Sequence, residues 1–161
     1  MMLSILILSF VTLQRLAELL WARSNTRELL AKGAYEVAPE HYPHIVAVHA
    51  AWLLGLWIVA WNAPVNLVWL AIFAVLQGLR VWVLCVLGRR WTTRILVVPG
   101  ETLVRSGPYR YVSHPNYAIV AGEIAALPLA FGQPLFALIF TLVNGVVLYT
   151  RIKAESRALS R

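Results

Sequence analysis

Charge is what this sequence has least of. Only 13% of its 161 residues are Asp, Glu, Lys or Arg, where a soluble domain carries roughly a quarter, so a water-solvated globule is excluded. Cysteine is nearly absent. The single Cys85 sits in an apolar run and can close neither an internal disulfide nor a Cys-based zinc site. Nine glycines and eight prolines are too few for a collagen-like or low-complexity chain. No Rossmann glycine fingerprint, P-loop or His-x-x-x-His pair occurs. What is present is apolar: 60% of the residues are hydrophobic and the mean hydropathy is +0.72. The chain is expected to be one integral membrane domain over residues 1–161, all-α, with a three-helix part at 1–87 and a second part at 88–161.

A helical span needs about 20 mostly apolar residues. Five stretches fit: Met1–Ala22, Ile45–Trp61, Val65–Leu87, Tyr117–Phe131 and Pro134–Tyr149. The fourth is short and holds Glu123 and Pro128, so a kink or shielding by other helices is expected there. Asn62-Ala63-Pro64 and Gly132-Gln133 are tight turns between antiparallel neighbours. Met1–Val11 has no basic leader and no A-x-A-like cleavage site, and it runs on through Arg15 and Glu18 to Trp21, so it is expected to be a retained helix.

The basic residues sort the spans by side. Twelve of the 14 Lys and Arg fall in three segments: Arg23, Arg27 and Lys32; Arg89, Arg90, Arg94, Arg105 and Arg110; Arg151, Lys153, Arg157 and Arg161. Arg15 and Arg80 lie inside spans, and the two tight turns hold none. Five spans place all three segments on one face, which the positive-inside rule makes cytoplasmic, with the N-terminus outside. The formal net charge of +7 is therefore read as membrane sidedness, and no nucleic-acid partner is expected.

Ionisable groups inside a bilayer are costly and face the bundle interior or a cavity. Arg15 and Glu18, three residues apart, meet on one helix face, either as an internal ion pair shared with Arg80 or as part of a cavity lining. His49 lies one turn inside the second span, as an interhelical hydrogen-bonder or a catalytic group. Glu123 has no basic residue near it in sequence and needs a partner from another helix or a bound proton. Glu40, His41 and His44 are potential metal ligands, but their spacing follows neither helix nor strand. A solvated loop at the membrane surface is the expectation there, and no metal site.

The segment between the third and fourth spans is polar, aromatic and punctuated by the turn signal Gly107-Pro108. Ser113 is the expected cap of the fourth helix, with Pro115 in its first turn. A helix N-terminus flanked by Arg105 and Arg110 offers free N–H groups to an anion. Arg151 and Glu155, four apart, present both signs of charge on one face of the last helix. Together these surfaces suit a zwitterionic ligand; anchoring Arg and Tyr residues with an ordinary i,i+4 pair is the alternative.

The run Glu101-Thr102-Leu103-Val104-Arg105-Ser106-Gly107-Pro108-Tyr109, then Ser113-His114-Pro115-Asn116-Tyr117, then Arg151-x-x-x-Glu155 resembles the isoprenylcysteine carboxyl methyltransferase family, most strongly over residues 88–160. Arg15-Leu16-Ala17-Glu18-Leu19, Gly33-Ala34-x-Glu36 and His41-Tyr42-Pro43 resemble its small bacterial branch, which includes alkylpyrone O-methyltransferases. The resemblance implies an S-adenosyl-L-methionine site in residues 88–161. In it Thr102, Leu103, Val104, Tyr109, His114, Pro115, Asn116 and Glu155 contact the cofactor, and Arg151 serves the substrate side. His49, His114 and Glu123 are candidates to assist deprotonation of a weakly acidic substrate. Three departures stand out: Glu101 where the family usually has His, Ser113 where it has Arg, and Ser156 where many members have a second Glu. Loss of the Arg leaves Arg94 or Arg110 to serve the cofactor carboxylate.

The expected function is thus methylation of an oxygen, carboxylate or enol/phenol hydroxyl, on a lipophilic substrate. Substrate is expected to come from the bilayer of a bacterial inner membrane, and the cofactor from the cytoplasm. A non-catalytic membrane scaffold or carrier of the same fold, and a sterol-reductase-like NADPH enzyme, are the competing readings.

Overall fold

The computed structural model describes residues 2–159. Five helices account for most of it: α1 (Met2–Ala31), α2 (His41–Ala60), α3 (Leu67–Leu87), α4 (Pro115–Ala130) and α5 (Pro134–Leu159). Four of them, α1, α2, α3 and α5, are long and apolar enough to cross a membrane. They expose large apolar side chains such as Phe10, Leu13, Ile58, Val75 and Leu142, as lipid-facing helices must. The chain is an all-α integral membrane protein.

The shortest helix is the one expected to be kinked or shielded. α4 has 16 residues, about 24 Å at 1.5 Å per residue, short of a hydrocarbon core of about 30 Å. It survives because it is wrapped by protein: Ile119, Val120, Ile124, Leu127 and Ala130 are all buried, packed between α3 and α5. Gly122 permits the approach to α3, since a Cβ there would lie 3.0 Å from the Leu76 side chain. Pro128 does not kink the helix midway. It stands in the last turn, where it frees the carbonyl of Ile124, four residues back. The indole N–H of Trp52 on α2 donates to that carbonyl at 3.2 Å. Trp52 and Ile124 belong to one apolar core with Leu8, Val11, Leu56, Phe73, Leu127 and Phe131.

The helix boundaries depart from the sequence expectation outside the apolar runs. α1 continues past Ala22 to Ala31, and α2 begins at His41, so Glu40, His41 and His44 are a helix start and not a surface loop. His44 Nδ1 is 2.9 Å from the Glu40 carbonyl, one helical turn back. α3 starts at Leu67 because Asn66 caps it, its side chain accepting from the N–H groups of Val68 and Trp69. Ser113 does not cap α4. His114 holds that position without a side-chain cap bond, with Pro115 following as expected. Met1 and Arg161, at the ends of the expected first span and third basic segment, lie outside the described residues.

Hydrogen bonds fix which ends lie together. Ser4 Oγ donates to the Ala63 carbonyl at 2.6 Å, the Asn66 N–H donates to the Ala130 carbonyl at 2.7 Å, and Gln133 donates to the Val59 carbonyl at 3.4 Å. This end holds the start of α1 and both tight turns. At the other end Asn25 Nδ2 donates to the carbonyls of Trp91 and Gly88 at 2.8 and 3.3 Å. There the two polar connections pair as a minimal antiparallel ribbon, β1 (Tyr35–Glu36) against β2 (Leu96–Val97), with Tyr35 opposite Val97. The basic segments therefore gather at one end of the bundle, where the connections cover a cavity.

Candidate functional site

The cavity has a volume of about 640 Å³, within the range of small-molecule sites. Its polar end is built on α5. Arg151 is 5% exposed; its Nε donates to the Tyr117 hydroxyl at 3.0 Å and its Nη2 to the Thr93 carbonyl at 2.5 Å. One guanidinium thus joins α5, α4 and the connection after α3. Its Nη1 makes no bond within the described residues.

Glu155 follows one turn later. Its Oε2 is buried without a hydrogen-bond partner and lies 3.6 Å from His114 Nδ1, while the other nitrogen of that ring is 3.1 Å from Ser156 Oγ. Asn116 Oδ1 is also buried and unpartnered. Two orphaned acceptors on one cavity wall match a ligand that brings donors, because leaving them empty costs roughly 1–3 kcal/mol each.

The strip from Glu101 to Val104, which also lines the cavity, has its own supports. Arg90 Nη1 donates to the Thr102 carbonyl at 2.9 Å and Nη2 pairs with Glu101 at 2.8 Å. Glu101 thus stands as the partner of Arg90. Gly107 turns the chain with φ +57°, and a Cβ there would lie 2.6 Å from Val86 Cγ2 on α3. Only glycine gives both the conformation and the approach. The turn delivers Tyr109 to the wall; burial, and next the Glu155 carboxylate, push its phenol up to about 12. Tyr109 is a neutral hydrogen-bonding group at physiological pH.

The floor is a cluster that joins three helices. Arg80 on α3 grips Glu18 on α1 with Nε and Nη2, at 2.8 and 2.7 Å, and reaches Glu123 on α4 with Nη1 at 3.0 Å. Arg15 bonds the same two carboxylates at 3.1 and 2.7 Å. Gln14 donates to Glu18 at 3.0 Å and to Gln77 at 2.6 Å, and Gln77 donates to Glu123 at 2.8 Å. Two guanidiniums meet two carboxylates, so the cluster is neutral in sum. Arg15, Glu18 and Arg80 face the cavity from it. His49 lines the same wall from α2, its Nδ1 2.8 Å from the Ile45 carbonyl. A carbonyl only accepts, so Nδ1 carries the proton, and in the neutral form of the ring Nε2 is an acceptor.

Nearly all the residues singled out from the sequence meet here. Thr102, Leu103, Val104, Tyr109, His114, Asn116, Arg151, Glu155 and His49 all line the cavity. Pro115 and Glu123 do not. Pro115 opens α4, and Glu123, 1% exposed, is enclosed by Arg15, Arg80 and Gln77. Of the two arginines expected to stand in at Ser113, Arg94 lines the cavity and Arg110 does not. Arg94 also bonds Glu36 at 2.7 Å and lies 4.2 Å above the Tyr42 ring. Sequence reasoning missed Gln14, Gln77, Thr93 and the part played by Tyr117. For the glutamines an uncharged polar residue inside a span was the available signal. For Thr93, which acts through its backbone, there was none. No group of His, Cys, Asp or Glu among the described residues is placed to hold a metal ion.

Comparison with known proteins assigns this architecture. The model of the isoprenylcysteine carboxyl methyltransferase (ICMT) family matches residues 69–161, from α3 through the cavity wall to α5. The chain belongs to this family. An uncharacterized protein of Bacillus subtilis (strain 168), YpbQ, is 40% identical over 159 residues, 96% of this chain and 95% of that protein. An uncharacterized protein of Haemophilus influenzae is 27% identical over 142 residues, 84% of this chain and 83% of that protein. No solved structure matches significantly. The family is one of membrane methyltransferases, and its matched region contains the two orphaned acceptors, Arg151 and the Tyr109 turn.

Proposed function

We propose that the protein is an S-adenosyl-L-methionine-dependent methyltransferase that methylates an oxygen of a lipophilic substrate drawn from the bilayer. The carrying observation is that one cavity has two chemically different ends. At the basic end of the bundle, Asn116 Oδ1 and Glu155 Oε2 are acceptors without donors. They fit the ammonium and amino groups of the cofactor, while Arg90 and Arg94, which line the same cavity, suit its carboxylate. Thr102, Leu103, Val104, Tyr109 and His114 complete that wall, and Pro115 holds the start of α4 that carries Asn116. At the other end Leu16, Val46 and Leu54 line the cavity while remaining exposed on the lipid-facing surface, which opens the site sideways to an apolar molecule.

When bound, the cofactor supplies an electrophilic methyl group; the organic chemistry is its own. The chain's residues orient the acceptor and keep water out. The Nη1 group of Arg151 binds the substrate oxygen as an anion. His49 Nε2 takes up the proton where the nucleophile arrives as a hydroxyl, and a carboxylate needs no such help. Glu123 holds the two arginines of the floor in place. All three basic segments then face the cytoplasm, from which the cofactor binds.

Calorimetric titration of the detergent-purified protein with S-adenosyl-L-methionine and, separately, NADPH tests the reading. Saturable binding of the first alone is expected. Binding of NADPH alone, or of neither, overturns it.

A further inference from the structure

A second hollow of about 410 Å³ lies between the last turns of α1, the start of α2 and the two polar connections, lined by Arg23, Thr26, Arg27, Leu30, Glu36, Tyr42, Thr93 and Arg94. We propose that it binds the phosphate headgroup of an anionic phospholipid whose acyl chain lies along the outer face of α1.

Charge comes first. Arg23 and Arg27, one turn apart on α1, are exposed and have no hydrogen-bond or ion-pair partner among the described residues. Glu36, the one carboxylate in the hollow, is already held by Arg94 Nη1 at 2.7 and 2.9 Å. Its charge is matched by Arg94, which leaves the hollow two unmatched positive charges. A phosphodiester supplies the acceptor oxygens that such a pair lacks.

The apolar half of the ligand is fixed by position. Leu6, Phe10, Leu13, Leu16 and Leu20 are 53–67% exposed, and they form a stripe at helical spacing on α1. The stripe leads directly into the arginines: Arg27 follows Leu13 and Leu20 at seven-residue steps, and Arg23 and Leu30 follow Leu16. α1 has 30 residues, about 45 Å of helix against about 30 Å of hydrocarbon. Its last turns therefore stand at headgroup level when the earlier ones are immersed. An amphiphile with one negative head fits stripe and hollow together; a free anion fits only the hollow. Basic pockets of this kind at the cytoplasmic ends of membrane helices suit anionic headgroups. Tyr42, Thr93 and Arg94 line both this hollow and the large cavity, so the lipid phosphate would rest against the outer wall of the methyltransferase site.

The test uses the whole purified chain in phosphatidylcholine nanodiscs, with thermal unfolding as the readout. Replacing part of the phosphatidylcholine by phosphatidylglycerol is expected to raise the unfolding temperature. Arg23→Gln/Arg27→Gln should unfold normally in phosphatidylcholine. It should need on the order of thirtyfold more phosphatidylglycerol for the same shift, since two basic residues near the surface are lost at about 1 kcal/mol each. Arg23→Lys/Arg27→Lys should keep most of the response. An equal shift from millimolar inorganic phosphate in pure phosphatidylcholine would assign the hollow to a free anion and overturn the lipid. An undiminished response of the Gln variant would overturn the site.

Discussion

Glu18→Gln tests the floor of the site most directly. Glu18 accepts four hydrogen bonds: two from Arg80 at 2.8 and 2.7 Å, one from Arg15 at 3.1 Å and one from Gln14 at 3.0 Å. The substitution removes one of two carboxylates that balance two guanidiniums, and it turns an amide N–H₂ toward N–H donors. The cluster is then left one positive charge in excess, in a place that water barely reaches. Breaking a buried ion pair from one side costs about 3–5 kcal/mol. Counting instead four interhelical or helix-surface bonds at the membrane average of about 0.6 kcal/mol gives about 2.4 kcal/mol. The two routes agree on about 3 kcal/mol, which for a chain of this size lowers the unfolding temperature by about 6–12 °C.

The assay is thermal unfolding of purified protein in one detergent, followed by tryptophan fluorescence. Cofactor binding by the folded fraction is expected to stay near normal, because among the described residues Glu18 hydrogen-bonds only Gln14, Arg15 and Arg80. Adding Arg15→Gln restores the charge balance, so Glu18→Gln/Arg15→Gln should recover part of the loss. A single variant within about 2 °C of the parent would refute the reasoning. So would a double variant whose losses simply add, because residues in one network couple.

Glu155→Gln should weaken S-adenosyl-L-methionine binding about tenfold, the loss of one charge-assisted bond, measured by calorimetry; unchanged affinity would remove Glu155 from the site. Arg151→Ala should lower single-turnover methyl transfer and also loosen the segment around Thr93, detectable as faster amide exchange at residues 91–98. Tyr109→Phe should delete an ionisation near pH 12 from the ultraviolet titration rather than one near pH 10. The raised value favours the fold below pH 10, where the unfolded phenol is also neutral, and that advantage fades as the pH rises from about 10 to about 12. Reporter fusions at Pro64 and after the last residue of the 161-residue chain should fall on opposite sides of the membrane; the same side would overturn the orientation.

The helices were legible because lipid imposes a simple rule: an apolar run of sufficient length must be a helix. Their ends were less so, because past the hydrocarbon the same rule is silent. α1 runs on through Arg23, Arg27 and Glu28, and α5 through Arg151 and Glu155, where the helix is kept by intrinsic propensity and by bonds to the connections. The ion cluster was half legible. Arg15 and Glu18 are paired by spacing alone, whereas Glu123 lies 108 residues from Arg15, and only the packing of α4 between its neighbours joins them. Ser113 misled for a local reason. Capping residues favour the position before Pro115, but that position is His114, whose ring is engaged beside Ser156.

The site itself depends on groups that a sequence does not display. Arg151 was visible as a charge on a helix face, yet its buried position comes from the backbone carbonyl of Thr93 and the hydroxyl of Tyr117. Those two partners belong to different elements, so the guanidinium can be satisfied only when the 88–114 connection and α4 are both docked. Arg94 repeats the arrangement on the other side, closing on Glu36 where β1 meets β2. A buried cation without its partners is costly, so Arg151, 5% exposed, makes the placement of the connection part of the fold's stability, while the half-buried Arg94 adds a second tie. That coupling explains how a chain with so little charge holds an irregular segment in one place. The cost of leaving the buried Arg151 unpaired fixes the cavity wall, while Asn116 and Glu155 keep acceptors unspent for whatever binds between them.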